Sequence, residues 1–164
     1  MSVTPADREA VLREAFRPVR DPHERLALIT DACAGPGLPP EDRHDVRLVP
    51  GCVSPVWLCG IVTDGVIHLQ WDAASPMVRG LAGLMCQVYQ GAAIDAIVGY
   101  RSHIVTDLGL DRLLSSTRQR GLAAVELRIH GLSGIAAPPD AGMPVSDRAG
   151  LLRGHANTGG GGAL

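Results

Sequence analysis

The residues best equipped for chemistry in this 164-residue chain are four cysteines, Cys33, Cys52, Cys59 and Cys86. Their settings differ. Cys52 stands in VPGCVSPVWLC, residues 49–59, after a glycine, before a serine and a proline, and just ahead of a bulky apolar run. Gly51 lets the backbone turn sharply, and Pro50 and Pro55 stiffen the loop on either side. A loop tip held by a rigid strand is a common way to present a reactive side chain to another molecule. Reactivity itself depends on thiolate fraction and exposure, so the spacing leaves a reactive thiol and an incidental loop cysteine both open. Cys59 lies inside the apolar run and reads as a buried packing residue rather than a resolving thiol. Cys86, in an apolar helical stretch, and Cys33, at a helix end, read as filler.

Other candidates are weaker. Arg118 and Arg120 fall in SSTRQRGL, in the first turns of a predicted helix, where a cation is slightly unfavourable; a use elsewhere, on a thiolate or an acidic partner, competes with a solvated surface role. His103, His130 and His155 have no constellation around them and read as solvated. A zinc or iron–sulfur site made from the cysteines with His44 or His68 finds no support, because the spacing contains no C-x-x-C pair. The chain also lacks a P-loop, a G-x-G-x-x-G after a strand, an H-E-x-x-H and a G-x-S-x-G.

Elements to position these residues can be read from caps and periodicity. Thr4-Pro5 with Asp7 signals a helix start, running to about Phe16 with Val11, Leu12, Ala15 and Phe16 as its apolar stripe. Asp21-Pro22 starts a second helix through Leu26, Ile29 and Cys33, broken by AGPGLPP. Residues 41–50 are polar and irregular. Val56 to Val62 and Val66 to Trp71 flank Thr63-Asp64-Gly65 and predict a hairpin. Ser75-Pro76 opens a helix with Leu81, Leu84, Met85 and Val88 at helical spacing, ending at Gly91. Short helical pieces follow over Ile94 to Val98 and Ile104 to Leu114. A last helix from near Ser116 carries Leu122, Val125, Leu127 and Ile129. From about Gly131 the Gly-, Pro- and Ala-rich sequence predicts a disordered tail. The sum is α+β: helices at both ends around a small antiparallel sheet, with the Cys52 loop entering its first strand.

Length and 46% apolar, 20% charged composition suit one domain with a real core. A net charge of -2 and only five aromatics argue against nucleic acid as a partner, and against an anionic membrane. The opening MSVTPADREA has no signal-type apolar core, so a cytoplasmic protein without a disulfide framework is expected. The most apolar window, residues 80–99, is interrupted by Gln87, Gln90 and Asp95 and does not read as a membrane span.

Three segments together resemble the SufE family of sulfur acceptors. VPGCVSPVWL is similar to the family's G-C-x-S-x-V-W loop and aligns its acceptor cysteine with Cys52. MVRGLAGLMCQVYQG is similar to the family's I-V-x-G-L helix. LGLDRLLSSTRQRGLAAV matches its pattern of paired hydroxyl residues, arginine and Gly-Leu, with the family's arginine at Arg118. Departures fall at Ala74, where the family often has an acid, and at Leu26, after Arg25, where a tyrosine is usual.

The resemblance implies an α+β sandwich shared with IscU-type scaffolds, with about three antiparallel strands packed against helices. It spans about residues 7 to 130, which makes residues 1–131 the expected domain and 132–164 the tail. It implies a persulfide carrier on Cys52 that takes sulfur from a cysteine desulfurase, stimulates it, and delivers to an iron–sulfur scaffold protein. Arg118 would support the thiolate or the loop, and Val53, Val56 and Trp57 would shelter the persulfide. Pyridoxal phosphate would belong to the desulfurase, leaving this chain with no cofactor of its own. The alternative is an IscU-like metal or cluster scaffold. The sequence leaves monomer and homodimer both open.

Overall fold

The computed structural model describes residues 3–134. Six α-helices and one hairpin form the fold: α1 Pro5–Phe16, α2 Pro22–Ala32, β1 Val56–Thr63, β2 Val66–Ala73, α3 Pro76–Tyr89, α4 Ile94–Ile97, α5 Ile104–Asp107 and α6 Ser116–Leu132. The expected tail lies outside the described residues from position 135 on. Short of that, α6 continues through Leu132 and closes on Ser133 and Gly134, slightly beyond the expected boundary.

The helix starts follow from their caps. Thr4 Oγ1 accepts from the Asp7 amide at 3.1 Å while Asp7 accepts from the Thr4 amide at 3.1 Å, a reciprocal capping box with Pro5 behind it. Asp21 accepts from the His23 and Glu24 amides, each at 2.9 Å. Ser115 caps α6 through the Arg118 amide at 3.4 Å.

In the hairpin, Val56 pairs with Ala73 and Thr63 with Val66. The two-residue turn Asp64-Gly65 has φ of 52° and 74°, the positive pair that matches the strands' right-handed twist. Val56 and Leu58 with Ile67, Leu69 and Trp71 point to the core. The sheet has two strands; in place of a third, Leu48 makes a single bridge to Trp57 and the Val49 amide donates to Val56 O at 2.8 Å. The pairing stops there because Pro50 has no N–H and Gly51, at φ +86°, turns the chain away.

Helix α3 is the centre of the molecule, buried along most of its length and touching α1, α2, α6 and β2. Its glycines permit this. A Cβ on Gly80 would collide with the backbone of Thr30, and one on Gly83 with the Cys33 carbonyl, so α2 crosses directly on the α3 backbone.

Two expected helix faces are corrected. On α1, Val11 is 66% exposed and Ala15 faces outward; the inward line is Pro5, Glu9, Leu12 and Phe16. Glu9 is buried within hydrogen-bonding distance of Tyr100, Ser102 and His103, and this turns the helix away from the apolar reading. On α6, Leu127 is 43% exposed, and Glu126 and His130 occupy the buried face beside Leu122, Val125 and Ile129.

Candidate functional site

The Cys52 loop is clamped at both ends. Val49 is bonded to Val56 at its base, and Pro55 O accepts from the Ala74 amide at 3.0 Å. Between these ties the turn at Gly51 rests on α6, where a Cβ would lie 3.9 Å from Ala124 Cβ. Cys52 is therefore held at the junction of the hairpin and α6, half-buried, with its Sγ 3.6 Å from the Gly121 carbonyl, an acceptor for the S–H. Burial pushes the Cys52 thiol above its ordinary value. The neutral thiol is thus the favoured form in this arrangement.

Beside Cys52 lies a cavity of about 460 Å³. Its apolar wall comes from Val56 of β1, Val78 and Leu81 of α3, and Leu122 and Val125 of α6. The polar side is made by Ser75, Ser115, Thr117 and Arg118. Val53, 83% exposed, stands at the mouth. Thus Cys52 and Arg118, 66 positions apart by subtraction, line one cavity. Arg118 is exposed, and among the described residues no carboxylate lies within ion-pair distance of it. Arg120 bends back instead to Ser116 of its own helix, at 3.4 Å to both O and Oγ.

Other expected site residues fall elsewhere. Trp57 does not line the cavity; strand alternation turns it to the opposite face, where the Arg43 guanidinium sits 5.6 Å from its ring centre. The same alternation leaves Cys59 half-buried opposite Gln70 rather than packed in the core, because Leu58 takes the inward position. Cys33 and Cys86 are buried, and burial raises both thiols, Cys33 to about 11. His44 and His68 are exposed, and among the described residues no three His, Cys, Asp or Glu side chains form a group able to hold a metal ion. His103 is exposed and His155 lies outside the described residues. No helix among the described residues is long and apolar enough to cross a membrane.

Two polar clusters support this site. Behind Trp57, Asp72 is 1% exposed and accepts from the Leu38 amide at 2.9 Å and from Arg43 Nη2 at 2.8 Å, with Arg79 Nη1 3.8 Å away. Burial alone would raise its carboxyl, but the Leu38 and Ala73 amides and the Arg43 guanidinium outweigh it and hold the group below the usual carboxylate range. Asp72 thereby pins the 37–43 segment against the hairpin on the side opposite the core. The Arg25 guanidinium, read as half of a family pair, is a clamp of a different kind, donating to Val19 O and to Leu108 O, the latter at 2.9 Å.

The second cluster corrects the solvated reading of His130, which is fully buried on α6. Its ring meets Tyr89 edge-on, 5.6 Å between centres at 70°. Burial pushes the imidazole below its ordinary value, against an opposing pull from Glu126. Glu126 accepts from Tyr89 Oη at 2.6 Å and from the Ser102 amide at 2.7 Å. Glu9 accepts from Ser102 Oγ at 2.8 Å, Tyr100 Oη at 2.9 Å and the His103 amide at 2.9 Å. One signal for this group was present in the sequence: Glu126 and His130 fall four apart on the stripe that Leu122 and Ile129 define.

The solution structure of a hypothetical protein from Thermus thermophilus superposes on this fold with a TM-score of 0.64 at 23% identity, covering 80% of this chain and 96% of that one, and so shares the architecture. The sulfur acceptor protein CsdE of Escherichia coli (strain K12) is 29% identical over 119 residues, 70% of this chain and 80% of that protein. The family model for SufE, the Fe–S metabolism associated domain, matches residues 10–132, which takes in the Cys52 loop, α3 and all of α6, and the chain belongs to the SufE family.

Proposed function

We propose that this chain is a sulfur-transfer protein of iron–sulfur metabolism, with Cys52 as the acceptor of sulfane sulfur from a cysteine desulfurase. The observation that carries the reading is the placement of Cys52, a thiol on a clamped loop beside an apolar cavity that also holds Arg118, an arginine with no carboxylate partner among the described residues. Membership of the family and similarity to a sulfur acceptor protein support it.

In this reading the Cys52 thiolate attacks the terminal sulfur of a persulfide on the desulfurase. The donor's S–S bond breaks, its thiolate leaves, and Cys52-S-SH forms, with no net oxidation or reduction. The S–H contact to Gly121 O and the raised thiol value oppose ionisation. The Arg118 guanidinium is the cationic group among the residues that line the cavity, and it favours the thiolate. Val56, Val78, Leu81 and Val125 shelter the bound sulfur from reductants until it passes to a scaffold protein. Pyridoxal phosphate resides on the desulfurase, which this chain stimulates by removing its product.

Intact mass spectrometry after incubation with a cysteine desulfurase and free cysteine tests the reading. Wild type gains the mass of one sulfur atom, which a thiol reductant removes, and Cys52→Ser gains none. Equal gain by the variant would place the chemistry on another cysteine. For Arg118, Arg118→Ala lowers both the rate of uptake and the acidity of the Cys52 thiol; no change in either would remove it from the mechanism.

A further inference from the structure

The cavity is far larger than its proposed cargo. A sulfur atom fills about the space of one water molecule, roughly 30 Å³, whereas the cavity holds about 460 Å³. That size lies among small-molecule sites, which combine an apolar wall with a few placed polar groups. Here the wall is Val56, Val78, Leu81 and Val125, and the polar groups are Ser115 and Arg118. Arg118 has no carboxylate partner among the described residues, and its backbone amide, not its guanidinium, is what meets the Ser115 hydroxyl. A cation so placed at the edge of an apolar cavity suits a small ligand with a carboxylate at one end. Cys52, which lines the same cavity, gives the other end something to react with.

We infer that the cavity is an acceptor subsite for a small thiol bearing a carboxylate, to which the Cys52 persulfide passes its outer sulfur. This rests on the proposed sulfur-carrier role. The carboxylate pairs with the Arg118 guanidinium and the short aliphatic stem lies on the valine and leucine wall. The ligand's thiolate attacks the terminal sulfur of Cys52-S-SH. The S–S bond to Cys52 breaks, a new S–S bond forms on the small molecule, and the Cys52 thiolate leaves and takes up the proton the incoming thiol lost. The electron count is unchanged, so no oxidant or reductant enters. Delivery to a small carrier and delivery to a scaffold protein are then two exits from one loaded state.

The test loads Cys52 chemically, in a Cys59→Ser background because Cys59 is also half-buried, so it does not depend on any desulfurase. The protein is converted to a mixed disulfide with an aromatic thiol and treated with sulfide, which displaces that thiol and leaves the persulfide. Release of the outer sulfur is followed with 3-mercaptopropionate and with neutral 2-mercaptoethanol, rates being corrected for the fraction of each thiol ionised. A saturable reaction favouring the carboxylate thiol by up to roughly fivefold, as one exposed ion pair allows, and losing that preference in Arg118→Gln, supports the subsite. Rates linear in both thiols and equal after correction overturn it. A preference that survives Arg118→Gln overturns the assignment of Arg118.

If the persulfide does not survive loading, alkylation of unloaded Cys52 by iodoacetate and by iodoacetamide reads the same subsite. Both reagents need the thiolate, and each rate is taken relative to that with a small free thiol, so that the carboxylate is what the comparison reads. Saturable, Arg118-dependent preference for iodoacetate supports the site, and its absence overturns it. Failure of a desulfurase to load Cys52 would count against the carrier role while leaving this result intact.

Discussion

Replacing Gly83 by alanine probes the close crossing of α2 on α3. In an isolated helix the change would help, since alanine is favoured over glycine by about 0.8–1.0 kcal/mol in a helix interior. In this fold the new methyl would run into the Cys33 carbonyl, with the carbonyl carbon 2.9 Å and Trp71 Nε1 2.7 Å away. The carbonyl belongs to backbone and cannot rotate aside, so the end of α2 must move off α3. Overpacking of this kind typically costs about 1–3 kcal/mol, and a backbone obstacle places it at the upper end, about 3 kcal/mol. Subtracting the propensity gain leaves a net loss of roughly 2 kcal/mol, or a fall in melting temperature of roughly 6–8 °C for a domain of this size. Gly131→Ala is the control, because a Cβ there meets nothing within 4 Å; it should leave stability unchanged or raise it. Thermal melts and urea titrations of the three proteins decide the matter. A Gly83→Ala protein that melts at or above wild type would refute the claim that the crossing admits no side chain.

Three further expectations use the site and its supports. Tyr89→Phe removes the 2.6 Å donor to the buried Glu126, which should cost roughly 1.5–3 kcal/mol as the loss of a hydrogen bond to a charged group; a urea midpoint lowered at constant slope is the readout, and no shift would mean that Tyr89 is not a needed partner. Burial raises the Cys52 thiol, so its alkylation rate by iodoacetamide should keep climbing beyond the ordinary thiol midpoint of about pH 8.5. A plateau at neutral pH would show a stabilised thiolate instead. Burial lowers the His130 imidazole, so the unfolded chain takes a proton there more readily than the fold. The His130 contribution is complete above the unfolded value of about 6.5 and is lost as pH falls toward the lower native value. His130→Leu should therefore show a smaller drop in urea midpoint between about pH 7.5 and about pH 5.5 than wild type, and an equal drop would assign the acid sensitivity to other groups.

Much of the scaffold was legible because its signals are local. Thr4, Asp21 and Ser115 each bond an amide two or three residues on, and Asp64-Gly65 needs only its own dihedrals. The Cys52 loop could be read from its prolines and glycine alone. What escaped depends on partners far along the chain. Glu9 and Glu126 are buried because Ser102, Tyr100 and Tyr89 reach them across 24 to 93 residues. A reading that sorts charged residues outward then rotates α1 and α6 the wrong way and sends His130 to solvent. Trp57 and Cys59 were misplaced for a simpler reason: continuous apolar character in β1 hides which alternate residues face inward, and only the pairing with β2 settles it. The company that Cys52 keeps, in particular Val78, Leu81 and Val125, is likewise a matter of how α3 and α6 meet.

The two buried carboxylate clusters also set the clock for loops that would otherwise be open to water. The Leu38, Ser102 and His103 amides lie outside every helix and strand, yet each donates to a carboxylate anchored in the interior, Asp72, Glu126 or Glu9. Such an amide exchanges its hydrogen with solvent only when the carboxylate lets go, and a buried carboxylate that lets go gives up one of the bonds that satisfy it. These three loop protons should then exchange as slowly as those of α3, in the same cooperative unit as the core. In a molecule whose proposed work is done by a loop, irregular backbone is thus divided into two kinds: segments tied by buried charge, which keep the frame, and the Cys52 turn, which no carboxylate among these bonds holds.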